Sequence, residues 1–192
     1  MRFNGSRYLF ILVFLSCNNP DKPAFFIGKK ASNSNKESQP VAIIQPKANL
    51  TQIETGKTTP AELISFARSL TGIPYKYGST DPQQGFDCSG FVTYVFNNFK
   101  IAVPRTSVDF TYVNQEINLK DAKPGDLILF TGTDSTTKTV GHMGILVTDA
   151  TQGYTFIHAT SGKAYGVTET PLNTYYQGRY MKTIRVFPQN DK

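Results

Sequence analysis

Tryptophan is absent from this 192-residue chain, and cysteine and histidine occur only twice each. Two cysteines cannot build a disulfide framework, and they do not form the Cys-x-x-Cys pairs of structural zinc modules. The two histidines lack the close His-x-x-x-His spacing of metal sites, so no metal is expected. There is no glycine-rich phosphate loop and no pair of carboxylates placed for acid–base chemistry. No apolar run approaches the ~20 residues a transmembrane helix needs. The net charge of +6 comes from scattered Lys and Arg, without a basic cluster interleaved with aromatics. A nucleic-acid partner is therefore not expected. Charged residues make up only 18% of the chain, against 39% hydrophobic residues that include 14 Phe and 10 Tyr. That balance supports a folded core rather than general disorder.

The chain opens with Arg2 and Arg7 around a short apolar stretch from Tyr8 to Leu15, followed by Ser16-Cys17 and the polar Asn18-Asn19-Pro20-Asp21-Lys22. A positive start followed by a short hydrophobic segment is the pattern of an export signal. The segment around Cys17 resembles the lipobox of bacterial lipoproteins, with Phe14 where Leu is commoner. That resemblance implies cleavage before Cys17 and lipidation of its sulfur. A lipidated Cys17 cannot pair, which leaves Cys88 as a lone thiol in an exported protein, and such a thiol needs an explanation. From Asn18 to Lys57 the sequence is rich in Asn, Ser, Lys, Gln and Pro and reads as a tether, with a root-mean-square span of roughly 30–40 Å. Within it, Val41-Ala42-Ile43-Ile44 is an apolar patch able to pack on the domain.

A helix should begin at Thr59-Pro60, with Glu62 completing a capping box, and end near Gly72. Its buried stripe would be Leu63, Ile64, Phe66, Ala67 and Leu70. A second helix is predicted from Cys88 to Phe99, and a third, shorter one from Ser107 to Gln115. After Pro124-Gly125 the pattern changes to strands: Asp126–Phe130, Gly141–Thr148, Tyr154–Ala159 and Tyr180–Phe187. Helices followed by an antiparallel meander indicate an α+β domain, with N-terminal helices packed on the sheet.

Cys88 sits where a turn enters the second predicted helix, in Gly85-Phe86-Asp87-Cys88-Ser89-Gly90-Phe91. Unpaired N–H groups at a helix start favour thiolate over thiol and can receive an oxyanion. A buried small hydrophobe is the competing account of a lone Cys. Both histidines, His142 and His158, fall in the β half, where neighbouring antiparallel strands can bring them together. A thiol, a base and a group that orients the base form the minimal set for acyl transfer.

Residues from about Thr59 to Phe187 resemble the NlpC-type family of cell-wall cysteine peptidases, a compact papain-like group. The stations that carry the resemblance are Pro74-Tyr75-Lys76-Tyr77-Gly78, Phe86-Asp87-Cys88-Ser89-Gly90-Phe91, Pro104-Arg105-Thr106-Ser107, Pro124-Gly125-Asp126-Leu127, Gly141-His142-Met143-Gly144-Ile145 and Ile157-His158-Ala159. It implies Cys88 as nucleophile, His142 as base and His158 as the residue that orients His142. Tyr75 matches a tyrosine that helps hold the oxyanion, and Asp87 and Ser89 match positions near the substrate's peptide end. For Ser89 a hydrogen bond at the helix start is an equally good account. Arg105 reads as a surface ion pair outside the catalytic set, and Asp126 as a turn stabiliser rather than a catalyst. Phe110 and the polar stretch Thr131–Val140 depart from the family pattern.

The expected organisation is a signal peptide over 1–16, a tether over 17–57, a peptidase domain over 58–188 and a tail over 189–192. The implied activity is cofactor-free hydrolysis of peptidoglycan stem peptides, at the bond from the D-glutamate side chain to a diamino acid. A cell-wall amidase with the same triad and a wall-binding lipoprotein without catalysis are the alternatives. The protein should be a monomer, exported and lipid-anchored through Cys17 at the outer membrane or periplasmic face.

Overall fold

The computed structural model describes residues 50–192. The expected signal peptide, the lipid site Cys17 and the Val41–Ile44 patch lie outside the described residues. Helix α1 (Pro60–Ser69) starts as its sequence dictates: the Thr59 hydroxyl accepts from the Glu62 amide while the Glu62 carboxylate accepts from the Thr59 amide, with Pro60 in the first turn. Its face of Leu63, Ile64 and Ala67 is buried. A short hairpin, β1 (Thr80–Asp81) and β2 (Gly85–Phe86), leads into helix α2 (Cys88–Asn98). Phe91, Val92, Val95 and Phe96 bury α2 in the core.

The predicted third helix needs correction. Ser107–Tyr112 is a 3-10 helix, and Gln115 begins strand β3 (Gln115–Ile117). Only Phe110 of that 3-10 segment is buried, so it lacks the apolar stripe that would hold a longer α-helix against the core. The other strands are β4 (Leu127–Thr131), β5 (Val140–Leu146), β6 (Thr155–Thr160), β7 (Gly166–Pro171) and β8 (Tyr180–Arg185), with the short helix α3 (Thr174–Gln177) before β8. They form a six-stranded antiparallel sheet in the order β3-β8-β4-β5-β6-β7.

Strand β4 is buried on both faces, and alternation decides which side chain goes where. Leu127 and Leu129 join the core shared with α1 and α2, whereas Ile128 and Phe130 join a second cluster with Leu146, Phe156 and Tyr176. Packing also begins before Thr58. Ile53 is buried, its amide donates to Asn114 Oδ1 at 2.7 Å, and Thr51 O accepts from the Asn114 amide.

Asp126 is fully buried and is a structural anchor. Its carboxylate accepts from the Lys123 amide at 2.8 Å and from Arg185 Nε at 3.0 Å, while Arg185 also reaches Asp121 O and Asp191. Asp126→Ala would strip the carboxylate from Arg185 Nε, the Lys123 amide and the Asn190 side chain while Asp191 stays on Arg185 Nη1, and breaking such a buried pair typically costs about 3–5 kcal/mol. Urea denaturation should show a loss of at least ~3 kcal/mol; a change within experimental error would remove Asp126 from this role.

Candidate active site

Local geometry explains why Cys88 stands at a helix start. Asp87 is the N-cap of α2, and its Oδ1 accepts from the Gly90 amide at 2.5 Å. The Asp87 amide in turn donates to Ser79 O, which stitches the β1 entry to the helix. The stitch depends on Gly90. A Cβ there would lie 2.0 Å from Ser79 O and 2.8 Å from Asp87 Oδ1. Gly90→Ala must therefore push the start of α2 away from the hairpin, at a cost of about 1–3 kcal/mol, and displace the thiol. A lowered urea midpoint together with slowed alkylation or turnover at Cys88 is the expected signature; a variant with wild-type stability and reactivity would contradict it.

Cys88 and His142 line one cleft of about 1080 Å³, together with Tyr75, Lys163, Thr170, Tyr175 and Arg179. The thiol of Cys88 is 4.0 Å from Gly141 O, one residue before His142. His142 Nε2 lies 2.8 Å from His158 Nδ1, and His158 Nε2 lies 2.9 Å from Thr170 Oγ1. His142 Nδ1 is thus the ring nitrogen not engaged by His158. Behind it His158 is completely buried, with the rings of Phe156 and Tyr176 at centroid distances of 4.6 and 5.5 Å. Close to His158 the sheet has no room for another side chain. A Cβ on Gly144 would meet the Phe156 ring at 2.6 Å and His158 Cβ at 3.2 Å.

Arg179 closes the far side of the histidine pair. It donates to Gly132 O, Thr131 O and the Tyr175 hydroxyl, and its guanidinium lies over the rings of Tyr175 and Tyr176. Burial, then the neighbouring His158 and the Arg179 charge, hold His142 well below the usual imidazole range. Burial and Arg179 push His158 down to about 3. Burial, followed by the Asp87 carboxylate, pushes the Cys88 thiol up to about 11, although the N–H groups of Ser89, Met143 and Cys88 pull it the other way. The helix-start argument for a resting thiolate is thus outweighed by desolvation, which disfavours any charged form. These directions all favour a neutral thiol and neutral imidazoles in the free site. Such a site suits a thiol that would lose its proton to a neighbouring base only as it attacks, rather than a stored ion pair.

Tyr75 is half-buried on the cleft wall, bridged to Phe86 and packed 6.0 Å from the Tyr165 ring. An ionised Cys88 would raise the Tyr75 phenol further, which puts the two groups within electrostatic reach. Asp87 and Ser89 are both buried, and both are held by Arg105. Its Nη2 donates to Asp87 Oδ2 at 3.0 Å, and its Nη1 donates to Asp87 Oδ1 at 3.2 Å and to Ser89 Oγ at 3.1 Å. Arg105 is thus more than a surface ion pair: a bidentate fork next to the nucleophile position. Two residues at the site, Thr170 and Arg179, were not singled out from the sequence. Among the described residues, no group of three or more His, Cys, Asp or Glu is arranged to hold a metal ion.

Comparison with known proteins agrees with this architecture. The protein is similar to the "Probable endopeptidase NlpC" of Escherichia coli, with 33% identity over 132 residues, covering 67% of this chain and 79% of that one. It is also similar to the "Gamma-DL-glutamyl hydrolase" of Bacillus subtilis, with 28% identity over 76% of this chain but only 34% of the relative's length. The chain thus spans about a third of that relative. Among solved structures, an NlpC/P60 family protein from Bacillus cereus superposes with a TM-score of 0.61 at 27% identity, covering 70% of this chain and 42% of that one. Residues 72–185 match the NlpC/P60 family, and with the shared fold this chain belongs to it.

Proposed function

We propose that the protein is a cysteine endopeptidase that cleaves peptidoglycan stem peptides, at the bond from the D-glutamate side-chain carboxyl to a diamino acid. The observation that carries this reading is that Cys88 and His142 line one cleft, with His158 Nδ1 bonded 2.8 Å behind His142 Nε2. Likeness to the gamma-DL-glutamyl hydrolase supports the bond type. His142 Nδ1 takes the Cys88 proton as the sulfur attacks the amide carbon. The oxyanion is met by the Cys88 amide at the start of α2 and by the Tyr75 hydroxyl. His142 then protonates the leaving amine, and a thioester remains on Cys88. Water deprotonated by His142 releases the acid and restores the thiol. Asp87 and Ser89, fixed by Arg105, face the peptide end of the substrate.

The same reading includes export, with residues 1–16 as signal peptide, a tether from 17 that gives way by Thr51 to chain packed on the peptidase domain, and a tail over 189–192. It also includes a lipid anchor on Cys17 and a monomeric enzyme. Two or three acyl chains, at about 0.8 kcal/mol per buried methylene, would hold it firmly at a membrane.

Digestion of purified sacculi, with mass analysis of the released muropeptides, tests the bond. Fragments ending in D-glutamate are the expected products. Release of intact stem peptides beginning at L-alanine would establish an amidase, and no release would leave only wall binding. For the anchor, Cys17→Ser should move the protein out of the membrane fraction or leave it unprocessed, whereas a mature N-terminus other than an acylated Cys17 would refute it.

A further inference from the structure

Given the proposed reaction, the two hydrogen bonds behind His142 form a constrained line. His142 can accept the thiol proton only if Nδ1 carries a lone pair, so its Nε2 must carry the hydrogen. That hydrogen points at His158 Nδ1, 2.8 Å away, which must then be an acceptor. The His158 proton is forced onto Nε2, and the oxygen there is Thr170 Oγ1 at 2.9 Å. His158 has no solvent exposure, and Phe156 and Tyr176 pack on its ring. Water is therefore not available to take over that contact. We propose that Thr170 is the positioning residue that supports the competent tautomers of both histidines, by accepting the His158 Nε2 proton so that His142 presents a bare Nδ1 to the cleft.

The placement of Thr170 follows from register. Strand β7 is the sheet's edge strand, and Phe156 pairs with Thr170 while His158 pairs with Thr168. Thr170 therefore stands diagonally across from His158 on the same face, within reach of its ring. Thr170 itself is half-buried and lines the cleft, so its own hydroxyl proton can be directed to solvent while its lone pair serves His158.

Without that oxygen, the His158 Nε2–H would be buried and unpaired, a loss of about 1–3 kcal/mol. The alternative tautomer replaces the unpaired N–H by an unpaired lone pair, a smaller loss: His158 carries its proton on Nδ1 and donates it to His142 Nε2, which drives the His142 proton onto Nδ1. That state cannot accept from the thiol. A penalty of this size corresponds to roughly a 5- to 150-fold change in the ratio of competent to incompetent tautomer.

Thr170→Val keeps the shape and removes the oxygen, and Thr170→Ser restores it. Nitrogen-15 spectra of the two imidazoles, recorded at neutral pH, report the tautomers without reference to activity. In the wild type both rings should be Nε2-protonated. Thr170→Val should shift both toward Nδ1–H and lower kcat at least 5-fold with KM little changed, and Thr170→Ser should recover both. Should Thr170→Val fail to fold, the wild-type and Thr170→Ser spectra still decide. An Nδ1-protonated His158 in either overturns the proposal, as does a folded valine variant with wild-type tautomers. If wild-type protein cleaves no wall substrate, the reaction assignment fails, while the spectra continue to judge the role of Thr170 separately.

Discussion

Cys88→Ala and His142→Ala are each expected to lower stem-peptide hydrolysis by on the order of 10⁴-fold or more, because a nucleophile and its base act as one unit. The loss should appear in kcat, since neither change removes the Asp87, Ser89 and Arg105 cluster proposed to hold the peptide end. Folding should survive both. Cys88 loses only a sulfur, and His142 is half-buried at the cleft. His158→Ala should cost less, roughly 10- to 100-fold by comparison with other supporting partners, because it acts through His142 and not on substrate. Substantial turnover by Cys88→Ala protein would sink the cysteine-peptidase reading. Turnover lost to chelators and restored by zinc would point to a metal mechanism instead.

Acid should weaken the fold through the same histidines. Both have folded-state values below the ordinary imidazole value, His158 at about 3 and His142 well below 6.5. Between those values and 6.5 the unfolded chain binds protons that the folded one refuses. Stability therefore rises with pH through that window and is flat above it with respect to these groups. For His158 alone the loss between pH 7 and pH 4 comes to roughly 3 kcal/mol. Urea unfolding of wild type and His158→Asn at both values isolates this contribution, because the carboxylates are common to the two proteins. Equal pH dependence in both would show that His158 titrates normally. Activity should follow a related pattern. The acid limb of kcat/KM belongs below pH 6.5, where His142 finally protonates. Thiol alkylation of the free enzyme should keep rising toward the Cys88 value of about 11. An alkylation rate already saturated at pH 7 would mean a resting thiolate.

Asp87-Cys88-Ser89-Gly90 announces a helix start, and N-terminal N–H groups do surround the sulfur. How deeply the thiol is buried, and that a carboxylate cap stands beside it, cannot be weighed along the chain. Burial is a sum over residues distant in sequence, here including β5, and it reverses the sign expected from the helix alone. Arg105 reads as an ordinary cation in its own neighbourhood, yet 18 residues separate it from the carboxylate it grips.

The sequence by itself determined the elements with strong local signals. The Thr59–Glu62 capping box, the apolar stripe of α2 and the apolar run of β4 were legible because caps and apolar patterning are local properties, whereas Cys88, His142 and His158 were singled out by their resemblance to family motifs. The polar edge strand β7, with Gly166-Val167-Thr168-Glu169-Thr170-Pro171, carried no such signal, and the segment after Ser107 suggested a longer helix than forms. Only the tertiary structure decided that β7 pairs with β6 and brings Thr170 to His158, that Arg179 sits over Tyr175 and Tyr176, and that burial pushes the Cys88 thiol up and both imidazoles down. Each of these depends on which strands become neighbours and how much water they exclude, quantities that exist only once the chain has closed on itself.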